Sequence, residues 1–381
     1  MPEVVFWSAA FLIFYSYLGY PATLFVLSRV RCHQVRRRAI HPSVSFIITA
    51  RNEAARIAEK LENALAQDYP ASQLEIIVAS DCSSDATDAI VRRDFPRVRL
   101  VRSPRREGKE AAQALAIAAA RGDVFVFSDV ATALAPDCVS RLVENFADPS
   151  VGCVSSTDRF VDAAGEISGE GAYVKYEMWL RMLETRVNSL VGLSGSLFAT
   201  RRELCSEWPS DLQSDFSTLL RAVQMGYRGV LDPESAGYYR NITDSRGEFS
   251  RKVRTVVRGL TVLGAHTHMF NPARYGLFAW QLASHKLSRW VVPFAMIAAL
   301  GANLLLLGSP FYVLLLIAQV AFYATACAGL KSGASFLRLP AFLLQANAAV
   351  LTAWLRYLRG ERMVVWNPSD RTPALPQVNV P

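Results

Sequence analysis

Hydrophobic positions along the chain fall into three regimes. Residues 4–30 form an apolar run with no charge before Arg29. About 20 apolar residues cross a ~30 Å hydrocarbon core, so the run predicts a transmembrane anchor over 1–30. No basic stretch precedes it, and it is longer than the apolar part of a secretory signal, which favours a retained helix. From Ser43 the pattern breaks into short β-branched runs: SVSFIITA at 43–50, LEIIVAS at 74–80, VRLV at 98–101 and DVFVFSDV at 123–130. Helix-like stretches at 53–67, 85–93 and 109–121 separate them. Short buried strands alternating with helices predict an α/β fold with a mostly parallel sheet covered on both faces, over 42–265. The chain then turns apolar again. Residues 272–289 carry Trp280, His285, Lys286 and Arg289 and predict an interfacial helix. Residues 290–330 predict a transmembrane hairpin broken at Gly308, Ser309 and Pro310. The last segment, 336–381, holds a third apolar run interrupted by Gln345 and Asn347, and then a basic tail. A spanning helix and a re-entrant one are both open for that run; the positive-inside rule favours keeping the tail cytoplasmic.

Composition sharpens this picture. Hydrophobic residues make up 51% of the 381 positions and charged residues 19%, with a net charge of +8. Arg29, Arg31, Arg36, Arg37 and Arg38 follow the first apolar run, which places the next segment in the cytoplasm. The positive charge suits a membrane surface, and no nucleic-acid motif accompanies it. The six cysteines show no CxxC spacing and no histidine cluster, so they read as reduced and without metal.

Polar clusters stand at the carboxyl ends of the predicted strands, where open parallel sheets bind ligands. ARNE (Ala50, Arg51, Asn52, Glu53) follows the first strand, SDCSSD (Ser80 to Asp85) the second, and SDVAT (Ser128 to Thr132) the fourth. Each alone reads as a helix cap; three converging on one crevice point to a site. The order ARNE, DCSSD, Gly108-Lys109, SDVAT resembles the family 2 glycosyltransferases with a GT-A-like fold. Within them it is similar to the membrane-integral branch of cellulose, chitin, hyaluronan and poly-N-acetylglucosamine synthases. The resemblance covers roughly residues 44–261.

That resemblance implies roles. Ala50, Asn52, Glu53, Asp81, Asp85, Lys109 and Asp129 would contact the nucleotide-sugar donor, with Asp81 accepting from a uracil ring and Asp85 supporting its loop. Asp129 matches the first acid of a DxD motif and would hold Mg2+ or Mn2+ on the donor diphosphate. The second acid is replaced by Ala131, so either Asp129 suffices with water and diphosphate or another residue substitutes. Gly195 and Ser196, in GLSGSLFATRREL, match a small-residue loop beside the acceptor, followed by an Arg pair. Asp215 opens an amphipathic helix with Phe216, Leu219, Leu220 and Val223 at helical spacing, and would be the general base; Asp211 is its nearby rival. Arg251 and Arg254 stand where synthases carry Q-x-x-R-W, and Arg254 would grip the diphosphate. Arg251 replaces the Gln and Thr255 the Trp, which speaks against a processive polymerase.

The reading is an inverting hexosyltransferase in a cell (inner) membrane, multi-pass, with a cytoplasmic catalytic domain. Its partners would be a UDP-linked nucleotide-sugar, a glycan or lipid acceptor and the bilayer, with no nucleic acid. The alternatives are non-processive transfer of one sugar to a polyprenyl phosphate or other lipid, and a catalytically dead membrane scaffold that binds nucleotide-sugar. A nucleotidyltransferase is less favoured, because no Gly-rich phosphate loop is present.

Overall fold

The computed structural model describes residues 1–161, 172–240, 245–332 and 337–365. The chain divides into two compact units: Arg31–Thr243 with Met363–Pro381, and Met1–Val30 with Asp244–Arg362.

The first unit is built on an eight-stranded sheet. Its strands are β1 (Val44–Ala50), β2 (Leu74–Ser80), β3 (Arg99–Arg102), β4 (Val124–Asp129), β5 (Ala133–Leu134), β6 (Val151–Val161), β7 (Leu197–Arg201) and β8 (Arg228–Arg240). The order across the sheet is β3-β2-β1-β4-β7-β6-β8-β5. β1, β2, β3 and β4 run parallel, β7 is antiparallel to both β4 and β6, and β8 is parallel to β6. β1 is buried along its whole length, as a central strand covered on both faces must be. Alternation sorts its side chains: Val44, Phe46 and Ile48 join one core with Ile57 and Leu61, whereas Ile47 joins the other with Ala112, Ala116, Phe125 and Phe127. The two-residue period puts successive residues on opposite faces.

From β1 the chain goes to β2 and β3 on one side and then to β4 on the other. The switch point therefore lies between β1 and β4. Register aligns their ends: Ala50 pairs with Ser80 and Thr49 with Asp129. The three polar clusters thus leave the same edge of the sheet, at strand spacings of about 4.8 Å.

The second unit is helical. Among the described residues, three helical stretches are long and apolar enough to cross a membrane: Pro2–Val30, Leu277–Leu304 and Pro310–Ser332. Arg338–Leu358 is a fourth long helix that falls outside those three. No helix break marks the expected boundary between an interfacial helix at 272–289 and a span from 290. Helix runs without interruption from Leu277 to Leu304 through a π turn at Ala283–Leu287, because nothing between Leu282 and Ser288 breaks helical geometry. The basic residues His285 and Lys286 are accommodated within that turn. Ser245–Ala265, read from the sequence as part of 42–265, also belongs to this unit. Its buried stripe Val253, Val257 and Leu260 follows helical spacing. A Cβ at Gly259 would meet the Trp290 ring at 2.8 Å, and one at Gly264 the Tyr357 hydroxyl at 2.5 Å; small residues there allow close helix approach. Of the basic tail, residues 366–381 lie outside the described residues.

Candidate active site

The loops after β1 and β2 are stitched to each other. Asn52 and Cys82 both adopt left-handed backbone, φ 52°, an uncommon conformation for residues other than glycine that marks local strain. Asn52 Oδ1 accepts from the Ser84 amide at 2.8 Å, and the Asn52 amide donates to Ser83 Oγ at 3.2 Å. Arg51 donates to the carbonyls of Asp81 and Cys82. Asp85 accepts from the Ala54 amide at 3.0 Å and from the amide and hydroxyl of Thr87. These bonds hold its carboxyl below the usual range against the opposing effect of burial. Glu53 is buried and ion-paired with Arg56 at 2.6 Å; burial nonetheless pushes its pKa up. Ala50 ends β1, and its carbonyl accepts from the Asp81 amide at 3.0 Å. Asn52, Glu53 and Asp85 are thus engaged in fixing the two loops together.

Asp81 is fully buried. Its Oδ1 accepts from the amides of Glu107 and Gly108 at 3.0 and 3.2 Å. Its Oδ2 is buried without a partner, a condition that costs about 1–3 kcal/mol. The carboxylate therefore anchors the turn into the helix Lys109–Ala119 with one oxygen and presents the other. Gly108 has φ +103°, and a Cβ there would stand 2.7 Å from the Val364 carbonyl, so the turn requires glycine.

Lys109 joins three loops. Its ammonium lies 2.5 Å from Asp129 Oδ1 and donates to the Gly195 carbonyl at 3.0 Å. The Asp129 amide donates to the Ser196 carbonyl at 3.0 Å. On the other side of Gly195, a Cβ would meet Asp215 Oδ2 at 3.4 Å. Asp129 and Asp215, 86 residues apart in the chain, are therefore bridged by one turn of small residues. Asp215 lies in the first turn of Ser214–Gln224, whose cap residue is Gln213, so a capping role does not account for it. Gln213 Nε2 donates to Asp215 Oδ2 at 3.2 Å.

Other residues in this crevice were not singled out from the sequence. Asp158, in β6, accepts from the hydroxyls of Ser194 and Ser196 at 2.6 and 2.9 Å and sets the Gly195 turn. Its signal in the sequence is weak, an acid beside Ser155, Ser156, Thr157 and Arg159 in the second half of β6. Lys60 is fully buried beneath the SDVAT loop and donates to Ser128 Oγ at 2.8 Å and to the Thr132 carbonyl at 2.5 Å. Burial lowers its pKa to about 7. In the sequence it is one polar residue of an amphipathic helix and gives no sign of facing inward.

Two expectations are corrected. The Arg pair after Gly195 is not near Asp215's end of the sheet: Arg201 pairs with Val124, at the opposite end of β4 from Asp129. There it donates to the carbonyls of Val151, Phe146 and Asp148. Arg37, read as membrane-facing, forms ion pairs with Glu144, Asp232 and Glu234 inside the sheet unit. Arg251 and Arg254 lie on Ser245–Ala265 in the helical unit, where Arg251 pairs through two nitrogens with Glu248 at 2.8 and 2.9 Å.

The donor set around Asp129 does not fit a protein-held divalent cation. Mg2+ is held by one or two carboxylates, with substrate phosphates and waters completing its shell, so Asp129 by itself makes no protein-held site. Ala131 supplies none, and among the described residues no group of three or more His, Cys, Asp and Glu side chains stands close enough to hold a metal ion.

Comparison with known proteins agrees with this architecture. A mannosyltransferase from Pyrobaculum calidifontis, PcManGT, solved with GDP-Man and Mn2+, superposes with a TM-score of 0.75 over 95% of this chain and 100% of that one, at 23% identity. The fold is thus GT-A-like. The succinoglycan biosynthesis protein ExoO of Rhizobium meliloti is 28% identical over 228 residues, 56% of this chain and 64% of that protein. The beta-monoglucosyldiacylglycerol synthase of Trichormus variabilis is 25% identical over 224 residues, 56% of this chain and 48% of that enzyme. The chain thus spans about half to two thirds of the length of these relatives. Residues 45–208 match the model of glycosyl transferase family 2, a stretch that holds the strand-end loops and the Lys109 bridge to Asp129 and Gly195.

Proposed function

We propose that the protein is a membrane-anchored inverting glycosyltransferase that moves a sugar from a UDP-linked donor to a glycan or lipid acceptor. The observation that carries this reading is the bridge from Asp129 through Lys109 and Gly195 to Asp215. It joins a donor-diphosphate end to a carboxylate that can serve as base. In the reaction, the acceptor hydroxyl attacks the anomeric carbon and its proton passes to Asp215. The bond from that carbon to the diphosphate oxygen breaks with its electrons on the leaving group. Base and leaving group on opposite sides of the reacting carbon give inversion.

Asp81 supports a uridine donor. Its unpartnered oxygen suits an N–H donor; uracil and guanine offer a ring N–H, whereas adenine and cytosine offer only exocyclic amino groups. With Oδ1 committed to two amides, one oxygen remains. That matches the single donor of uracil better than the paired donors of guanine. A screen of UDP- and GDP-sugars on purified full-length protein in detergent, reading nucleoside diphosphate release, tests the reading. UDP release that vanishes in Asp215→Asn is the expected result; no release from any donor would overturn it.

Single-sugar transfer to a lipid is the second reading. Thr255, where polymerising synthases carry Trp, favours it, as do three candidate spans, too few for a polymer channel. The synthase of Trichormus variabilis is named for a glycolipid product. One lipid-linked sugar among the products supports this reading, whereas a polymer ladder supports the first.

A further inference from the structure

The carboxylates nearest the diphosphate end are already committed. Glu53 pairs with Arg56, Asp85 closes the loop onto Ala54 and Thr87, and Asp158 holds Ser194 and Ser196. Asp129 faces the crevice, and two lysines attend it. Lys109 is 2.5 Å from its Oδ1, and Lys60 lies fully buried under the loop that carries it, bonded on both sides of Asp129 to Ser128 and Thr132. A divalent cation brought to that carboxylate would meet repulsion from the Lys109 ammonium, and Coulomb energies grow as the crevice excludes water. Lys109 is only 7% exposed. It is also the first residue of an eleven-residue helix, whose amino end favours negative charge.

We propose that the Lys109 ammonium, held in place by Asp129, neutralises the leaving nucleoside diphosphate, so that nucleotide binding and departure do not require a divalent cation. The inference rests on the glycosyl-transfer reading of the same site. A diphosphate carries more charge than the Asp129 carboxylate and competes with it for the lysine. As the bond to the anomeric carbon breaks, negative charge builds on the diphosphate oxygen, and a fixed ammonium opposes it without any proton changing place. Asp129 keeps the flexible lysine aligned in the empty site, and Lys60 beneath keeps the Asp129 loop from moving. The alanine at position 131 then ceases to be a defect: a second acid there would add a negative group against the diphosphate.

Calorimetric titration of UDP into the full chain in detergent decides the matter. It is run after stripping with chelator and again with added Mg2+ or Mn2+. The two affinities are expected to lie within about tenfold of each other. Lys109→Met, which keeps the stem and removes the charge, is expected to weaken UDP in chelator by about 10- to 100-fold, the range of a lost charge-assisted hydrogen bond. Lys109→Arg should recover most of the loss. In Lys109→Met combined with Ala131→Asp, UDP binding should become dependent on the cation. Wild-type protein that binds UDP only when the cation is present overturns the proposal and leaves glycosyl transfer standing. So does Lys109→Met binding UDP as tightly as wild type. If neither UDP nor GDP binds with or without cation, the nucleotide-sugar reading falls and the lysine assignment falls with it.

Discussion

The sheet unit and the helical unit use buried polar side chains for opposite purposes. In the helical unit they tie helices together while the outside stays apolar. Tyr15 Oη bonds Ser284 Oγ at 2.8 Å and accepts from Trp280 Nε1 at 2.9 Å, and Ser16 Oγ donates to Ser288 Oγ at 3.1 Å. Large side chains such as Phe11 and Leu314 are exposed, at 66% and 64%. In the sheet unit the polar groups gather instead at one edge, where β1, β2 and β4 end. The difference follows from the solvent each unit can expect. In hydrocarbon an unsatisfied polar group costs several kcal/mol, which favours such helix-to-helix bonds, although Asn347 Oδ1 and the Tyr275 hydroxyl stay buried without a partner. In water an edge of strand ends can leave one oxygen waiting, as Asp81 Oδ2 is. The Asp81 oxygen is informative because of where it stands, at the strand ends beside the Gly108 turn, and not because it is unpartnered alone.

The largest effect that sharpens this contrast is on turnover. Asp215→Asn should lower kcat by about 10²–10⁴-fold, the usual contribution of a general base, with UDP affinity by calorimetry unchanged. Retention of more than about a tenth of wild-type kcat would move the base elsewhere, with Asp211 next to test. Asp81→Asn should cost about 1–3 kcal/mol of nucleotide affinity, roughly 5- to 150-fold, because the waiting oxygen meets an N–H only as an acceptor. Unchanged affinity for UDP would remove the base-recognition role.

In the helical unit the expected effects are on stability alone. Ala299 is buried against Phe6 and Ala9, and Ala299→Leu should overpack that seam by about 1–3 kcal/mol, read as a lower melting midpoint in detergent. Ile317, 60% exposed on Pro310–Ser332, should tolerate Ile317→Ala with little change in the same melt. Equal losses would break the picture of an apolar exterior around a packed seam.

The smallest effect concerns pH. The Lys60 pKa is lowered from 10.5 to about 7 in the folded chain. Between these values the unfolded chain binds the extra proton, so this group makes stability rise with pH across that window and leaves it flat below about 7. Lys60→Met should lose that slope. The gap in melting midpoint between wild type and variant should therefore shift in favour of wild type as pH rises through the window. A constant gap would mean that the ammonium is not buried in solution.

Much was legible before the fold was known, for reasons that are local. Period-two alternation and β-branched runs gave away β1, β2 and β4, and apolar length marked the three candidate spans. The polar clusters could be located because strand ends in a parallel sheet share an edge. What stayed hidden depends on residues far apart in sequence. Lys109 meets Gly195 across 86 positions, and Asp158 meets Ser194 across 36. Lys60 reads as a solvent-facing residue of an amphipathic helix until Ser128 and Thr132 are seen above it. Arg37 looked like membrane charge until Asp232 arrived from the other end of the domain. By itself the sequence determined which elements form, where the apolar lengths lie and which acids stand at strand ends, since propensity, periodicity and side-chain chemistry act within a few residues. Only the tertiary structure decided which charges cancel one another, because ion pairs depend on distance in space. In this protein that placed Lys109 on Asp129, a contact that the motif by itself does not announce.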